Sequence, residues 1–256
     1  MRAVLARLLP FFCIPGLAQS EPHTVYIIIH GTWCAPFSWH MPGGDFYDAL
    51  KSCAHQYDAA VAFLNWSGKN NHEARVSAAQ RLIRLINTYP ENSCIHLVAH
   101  SHGGNVGILA SQLLASDPEN HYRIQQFFAF GTPINRDYYM PAMDMIDRFY
   151  NFFSYGDMIQ TVFGLYQREL PCHERIINIR IKTHNAHPGH SDLHDPLVAS
   201  WIPYLDLKLD GCKPYLATFQ EHMPPSFVVD NERQKFITLD TALRSIVRKK
   251  IIHLYD

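Results

Sequence analysis

Apolar residues along this chain gather in short continuous runs, and between the runs they recur every three or four positions. Thr24-Val25-Tyr26-Ile27-Ile28-Ile29 is the clearest run, rich in β-branched side chains and ending at His30-Gly31. A run without polar alternation predicts a strand buried on both faces, as in parallel sheets. Ala60 to Leu64 predicts a second strand. From Glu73 to Asn87, Val76, Ala79, Leu82, Ile83 and Ile86 share one helical face, and Tyr89-Pro90 ends the pattern. Cys94 to Ala99 predicts a third buried strand, which passes with almost no loop into Ser101-His102-Gly103-Gly104 and a helix carrying Val106, Ile108, Leu109, Leu113 and Leu114. Further strands are predicted at Ile124 to Phe130, Phe149 to Ser154 and Ile176 to Lys182. Strands alternating with helices imply a doubly wound, mostly parallel sheet with helices on both faces.

The two ends depart from this alternation. Arg2 and Arg7 lie before and around the apolar stretch Leu8 to Ile14, which is followed by Pro15-Gly16-Leu17-Ala18-Gln19-Ser20. A basic start, a short apolar run and small residues are the plan of a secretory signal peptide, so residues 1–20 are expected to be a leader and the protein exported. Residues 21–212 are then expected to form the main domain. Residues 213–256 read as a C-terminal extension, in which Leu239, Leu243, Ile246, Val247 and Ile251 share a helical face beside Arg244, Arg248, Lys249 and Lys250. Such a basic amphipathic helix either docks on its own domain or makes a peripheral contact with a membrane.

Composition narrows the function classes. With 256 residues, 47% of them hydrophobic, the chain can bury a large core. Its 22 Lys and Arg against 23 Asp and Glu leave no positive excess for a phosphate backbone, so nucleic acid is not an expected partner. Cys34, Cys53, Cys94, Cys172 and Cys212 follow the leader in no zinc-binding spacing, which leaves free thiols and one or two bridges both open.

The segment Ala99-His100-Ser101-His102-Gly103-Gly104, set between a buried strand and an apolar helix, resembles the nucleophile elbow of the α/β-hydrolases. A serine there occupies a strained turn that lifts its hydroxyl above the sheet, and small flanking residues relieve the crowding, which suits Gly103 and Ala99. His30-Gly31-Thr32-Trp33 follows the first strand, where esterases and lipases of this family carry an HG motif. The resemblance implies an α/β-hydrolase fold and a carboxylic ester hydrolase with Ser101 as nucleophile. It also implies an oxyanion hole built from the backbone N–H groups of Thr32 and His102, with Gly31 leaving room for the acyl group.

By the same resemblance the acid and then the base follow the serine along the chain, each on a loop after a later strand. Asp157, in Tyr155-Gly156-Asp157, is expected to be the acid. His190, in His190-Ser191-Asp192-Leu193, is expected to be the base, with His194 as the alternative. No motif calls for a cofactor, and the substrate is expected to be a small-molecule or lipid ester. Trp33, Phe37, Trp39 and the aromatic stretch Tyr138 to Phe153 are candidates for lining an apolar acyl site. Phe130-Gly131-Thr132-Pro133 resembles a turn near the active site of lipases, and Asn65-Trp66-Ser67 matches a glycosylation acceptor.

Two other readings stay open. His184, His187, His190 and His194 lie close together beside Asp192 and Asp195, a grouping that could hold a metal for hydrolysis, although no HExxH is present. A hydrolase fold without catalysis, used as a binding module, is the third.

Overall fold

The computed structural model describes residues 23–34, 39–160, 167–181 and 188–202, and the backbone of four strands between residues 215 and 254. Six parallel strands form the centre: β1 (Thr24–Ile29), β2 (Ala60–Leu64), β3 (Cys94–His100), β4 (Ile124–Phe130), β5 (Ile146–Phe153) and β6 (Ile176–Arg180), in the order β2-β1-β3-β4-β5-β6. β7 (Tyr215–Gln220) joins β6 in parallel, and β8 (Ser226–Asn231) and β9 (Lys235–Thr238) continue antiparallel, while β10 (Ile251–Leu254) pairs with β7.

Because side chains alternate along a strand, β1 feeds two cores. Val25, Ile27 and Ile29 join Leu97, Ala99, Phe127 and Phe149 under α2 (His72–Ile86) and α3 (His102–Ser116). Tyr26 and Ile28 join Val98, Phe128 and Tyr150 on the opposite face, under α1 (Asp45–His55) and α4 (Pro196–Ala199). With both faces covered, the strands have no wet side, and this is why they read as continuous apolar runs.

The elements foreseen from periodicity are present with shifted ends. β5 starts at Ile146 rather than Phe149, and β6 ends at Arg180. α1 was not foreseen. Its apolar face, Phe46, Tyr47, Leu50 and Ala54, is short and interrupted by Asp45, Asp48 and Lys51, and it follows a Pro-Gly-Gly segment that reads as loop. The expected leader lies outside the described residues, as does the expected C-terminal helix apart from Ile251, which opens β10.

The topology places the site. From β1 the chain steps to β2 on one side and then returns to β3 on the other, so loops from adjacent strands β1 and β3 diverge at their carboxyl ends. Such a switch point opens a crevice in doubly wound sheets. The segments after β1, β3, β4, β5 and β6 all emerge at this end.

Candidate active site

Ser101 occupies the bend between β3 and α3 with φ 56° and ψ −134°. A non-glycine residue there costs about 1–3 kcal/mol and persists only when its surroundings hold it. Ser101 N–H donates to the Phe130 oxygen at 2.8 Å, extending the β3–β4 ladder through the turn. On the other side the first turn of α3 presses against the end of β1, since a Cβ on Gly103 would run into the main-chain oxygens of Ile29 and His30. Gly31 faces Ser101. A Cβ there would lie 2.7 Å from Ser101 Cβ and 3.2 Å from its Oγ. The space expected to admit an acyl group at Gly31 is therefore occupied by the serine.

The start of α3 aims its positive dipole end at the bend, and its Gly104 N–H donates back to Ser101 O at 2.9 Å. Thr32 stands opposite, with its Oγ1 3.4 Å from His102 Nδ1. Among the described residues the Thr32 N–H goes to no main-chain acceptor, while the next N–H, of Trp33, donates to Gly68 O at 3.0 Å. Trp33 has φ 53°, so two of the three described non-glycine residues with positive φ, Trp33 and Ser101, border this crevice. Burial pushes the His102 pKa down to about 3, helped by the charges of Arg75 and His190, so its ring is neutral at neutral pH.

Asp157 and His190 come from different strand ends and meet. Asp157 Oδ2 accepts from His190 Nδ1 at 2.7 Å, and Oδ1 accepts from the Ile159 and Gln160 N–H groups at 3.0 and 3.2 Å. The carboxylate is 0% exposed. Gly131 (φ 61°) makes room for the pair, because a Cβ there would sit 2.9 Å from Asp157 Oδ2 and 3.3 Å from His190 Nδ1. Gln160 Nε2 donates to Thr132 O at 2.9 Å, tying the turn after β4 to the loop after β5. Phe130 to Pro133 is thus a structural turn beside the site. His194, the alternative base, instead stacks on Trp39 with ring centroids 4.5 Å apart and planes 6° from parallel.

Several residues here carried no signal in the sequence. His100 Nε2 donates to the His190 main-chain oxygen at 2.8 Å, and Arg168 Nε donates to Ser154 O at 3.1 Å, bracing the strand that leads to Asp157. Both links join segments far apart in sequence, and no local spacing encodes them. The proposed aromatic lining is corrected in part. Phe149, Tyr150 and Phe152 are fully buried in the sheet, Tyr139 is buried, and Trp39 packs against Phe46 and His100. Trp33 (75% exposed) and Tyr138 face solvent, and Phe37 lies outside the described residues.

Among the described residues, no three His, Cys, Asp or Glu side chains converge as metal ligands would, and His184 and His187 lie outside them. Cys172 is disulfide-bonded, whereas Cys34, Cys53 and Cys94 are free.

A parallel sheet with a strained serine at its switch point, and an Asp–His pair from the strand ends beyond it, defines an α/β-hydrolase. The family Lipase (class 3) matches residues 27–166, more than half of the chain and a span that holds Thr32, Ser101 and Asp157 but stops before His190. The chain belongs to this family. No curated protein matches it. Among solved structures it is similar to a cutinase-like protein from Cryptococcus sp. (18% identity, TM-score 0.36), over 45% of this chain and 56% of that one. It is also similar to a hydrolase of the α/β superfamily from Xanthomonas campestris pv. campestris (14% identity, TM-score 0.43), over 70% of this chain and 94% of that one. A metagenomic carboxyl esterase (16% identity, TM-score 0.36) matches over 62% of this chain and 49% of that one.

Proposed function

We propose that this protein hydrolyses carboxylic esters through a Ser101–His190–Asp157 triad and an acyl-enzyme. The observation that carries the reading is the 2.7 Å bond between His190 Nδ1 and the fully buried Asp157 carboxylate, at the same sheet end as the strained Ser101. With Nδ1–H held by Asp157, the neutral imidazole keeps its Nε2 lone pair free to accept a proton.

In the proposed sequence, His190 takes the proton of Ser101 Oγ as the oxygen bonds to the ester carbonyl carbon. The oxyanion receives hydrogen bonds from the N–H groups of Thr32 and His102, each such donor lowering the barrier by about 3 kcal/mol in comparable sites. As the C–O bond of the ester breaks, His190 passes its proton to the departing alcohol. Water, deprotonated by His190, then attacks the acyl-enzyme and releases the acid and Ser101. Asp157 holds the tautomer and stabilises the imidazolium.

The substrate class we assign is an uncharged small-molecule or lipid ester, and we assign the protein to the exported side of the membrane on the strength of residues 1–20. The test is hydrolysis of p-nitrophenyl esters of increasing chain length by wild type and Ser101→Ala. A loss on the order of 10³-fold or more in kcat is expected for the variant. Equal turnover by the two proteins removes Ser101 from the reaction, and inhibition by a chelator rather than an organophosphonate turns the case to a metal.

A further inference from the structure

His100, the residue before the nucleophile, is a buried polar group to which the mechanism above gives no task. It closes β3, so its main chain leads directly into the bend at Ser101. Its Nε2 lies 2.8 Å from the main-chain oxygen of His190. A carbonyl only accepts, so Nε2 carries the proton and donates it. The ring is wedged among aromatic neighbours from two other loops. Its centroid lies 4.5 Å from that of His190, 4.7 Å from that of His194 and 5.7 Å from that of Trp39, the last two edge-on. Trp39 in turn stacks on His194 and meets Phe46 of α1 edge-on at 5.3 Å. His190 is thus gripped from two sides, its side chain by Asp157 and its main chain by His100.

The two grips do different work. Asp157 sets the tautomer and the tilt of the imidazole, and it lies on the loop after β5. The height of the base above the serine depends on where the loop after β6 lies, and two strands, β4 and β5, separate β6 from β3. A single hydrogen bond from the residue covalently joined to Ser101 shortens that path to one side chain. Reacting groups must be held within a few tenths of an ångström, since a displacement of about 1 Å costs roughly 10²-fold in rate.

We propose that His100 is a positioning residue for ester hydrolysis, whose Nε2–H bond to the His190 carbonyl registers the general base on the nucleophile one residue away. The Trp39–His194 stack backs this bond by filling the space beside it. The neutral state the bond uses is favoured by burial, which holds the His100 pKa well below the ordinary value, reinforced by the nearby His190 and His194. The inference rests on the triad reading, and Ser101→Ala tests that reading independently.

The experiment compares His100→Leu, which removes the donor, His100→Asn, which keeps a donor too short to reach, and His100→Gln, which keeps one of nearly the right reach. Kinetics on a p-nitrophenyl ester, thermal unfolding, and the low-field NMR resonance of the His190 Nδ1 proton are recorded for each. Leu and Asn should lose roughly 10- to 100-fold in kcat with KM within about twofold of wild type, and broaden the low-field proton; Gln should recover most of both. Wild-type kcat in a folded Leu variant overturns the proposal, as does a loss confined to KM. If Leu fails to fold, the Asn and Gln pair decides, and equal kcat for those two means that His100 only fills space. Any of these results alongside an inactive Ser101→Ala leaves the triad standing and removes His100 alone.

Discussion

A methyl group at residue 31 is the sharpest probe of this site, because the structure fixes where it would go. The Cβ of Gly31→Ala would lie 2.7 Å from Ser101 Cβ and 3.2 Å from both Ser101 Oγ and the His100 main-chain oxygen. Carbon atoms rest at about 3.5–4.0 Å, so the shortfall is about 1 Å. Ser101 has little freedom to yield, being bonded through its N–H to Phe130 O and followed by a helix start packed on Ile29 and His30. Turning the Ser101 side chain leaves its Cβ in place, so relief comes from shifting the Ser101 main chain or from pushing residues 31 and 32 outward, and either moves the Ser101 hydroxyl relative to the Thr32 N–H. At about 10²-fold per ångström, kcat should fall roughly 100-fold, about 2.7 kcal/mol of barrier. Overpacking should also cost about 1–3 kcal/mol of stability. The assay is kcat and KM on a short p-nitrophenyl ester, together with the labelling rate by a fluorophosphonate and the melting temperature. Both kcat and labelling should drop while KM changes little. A folded Gly31→Ala protein with kcat within about threefold of wild type would refute the packing argument, because the crevice would then have to be wide enough to absorb the methyl group.

Three further outcomes follow from the same geometry. Asp157→Asn should lower kcat by about 10⁴-fold, since an amide favours the tautomer with the proton on the wrong ring nitrogen; a fall of less than tenfold would place the tautomer under other control. Acid should destabilise the fold. Burial lowers the pKa of His40 to about 4 and of His102 to about 3, so between these values and about 6.5 the unfolded chain binds protons that the folded one refuses. That stability is complete well above pH 6.5 and lost as pH falls, by a few kcal/mol at pH 4.5 for the two together, on the order of 2 for each after discounting for solvent screening. Denaturant midpoints that stay flat from pH 7 to 4.5 would contradict it. Asn71 caps α2 by accepting the Ala74 N–H at 2.8 Å, and Asn71→Ala should cost about 1 kcal/mol, seen as a melting temperature lower by about 2–4 °C with kcat unchanged. No shift in melting temperature would mean that water replaces the cap at no cost.

The sheet and the elbow were legible in the sequence because both are written in contiguous residues. Five-residue apolar runs mark strands buried on both faces, and the passage from Val98 to Gly104 states strand, turn and helix in one short segment. Asp157 and His190 were named through chain order, resemblance and their immediate neighbours, Gly156 for the one and Ser191-Asp192-Leu193 for the other. Their meeting depends on the fold, which sets β4, β5 and β6 side by side so that Gly131, Asp157 and His190 share one small volume. His100, Trp39 and His194 illustrate the same division. Their residue types are visible along the chain, but the contact of rings from one strand end and two separate loops depends on how strands pack, and a linear pattern of polar and apolar positions does not encode that distance.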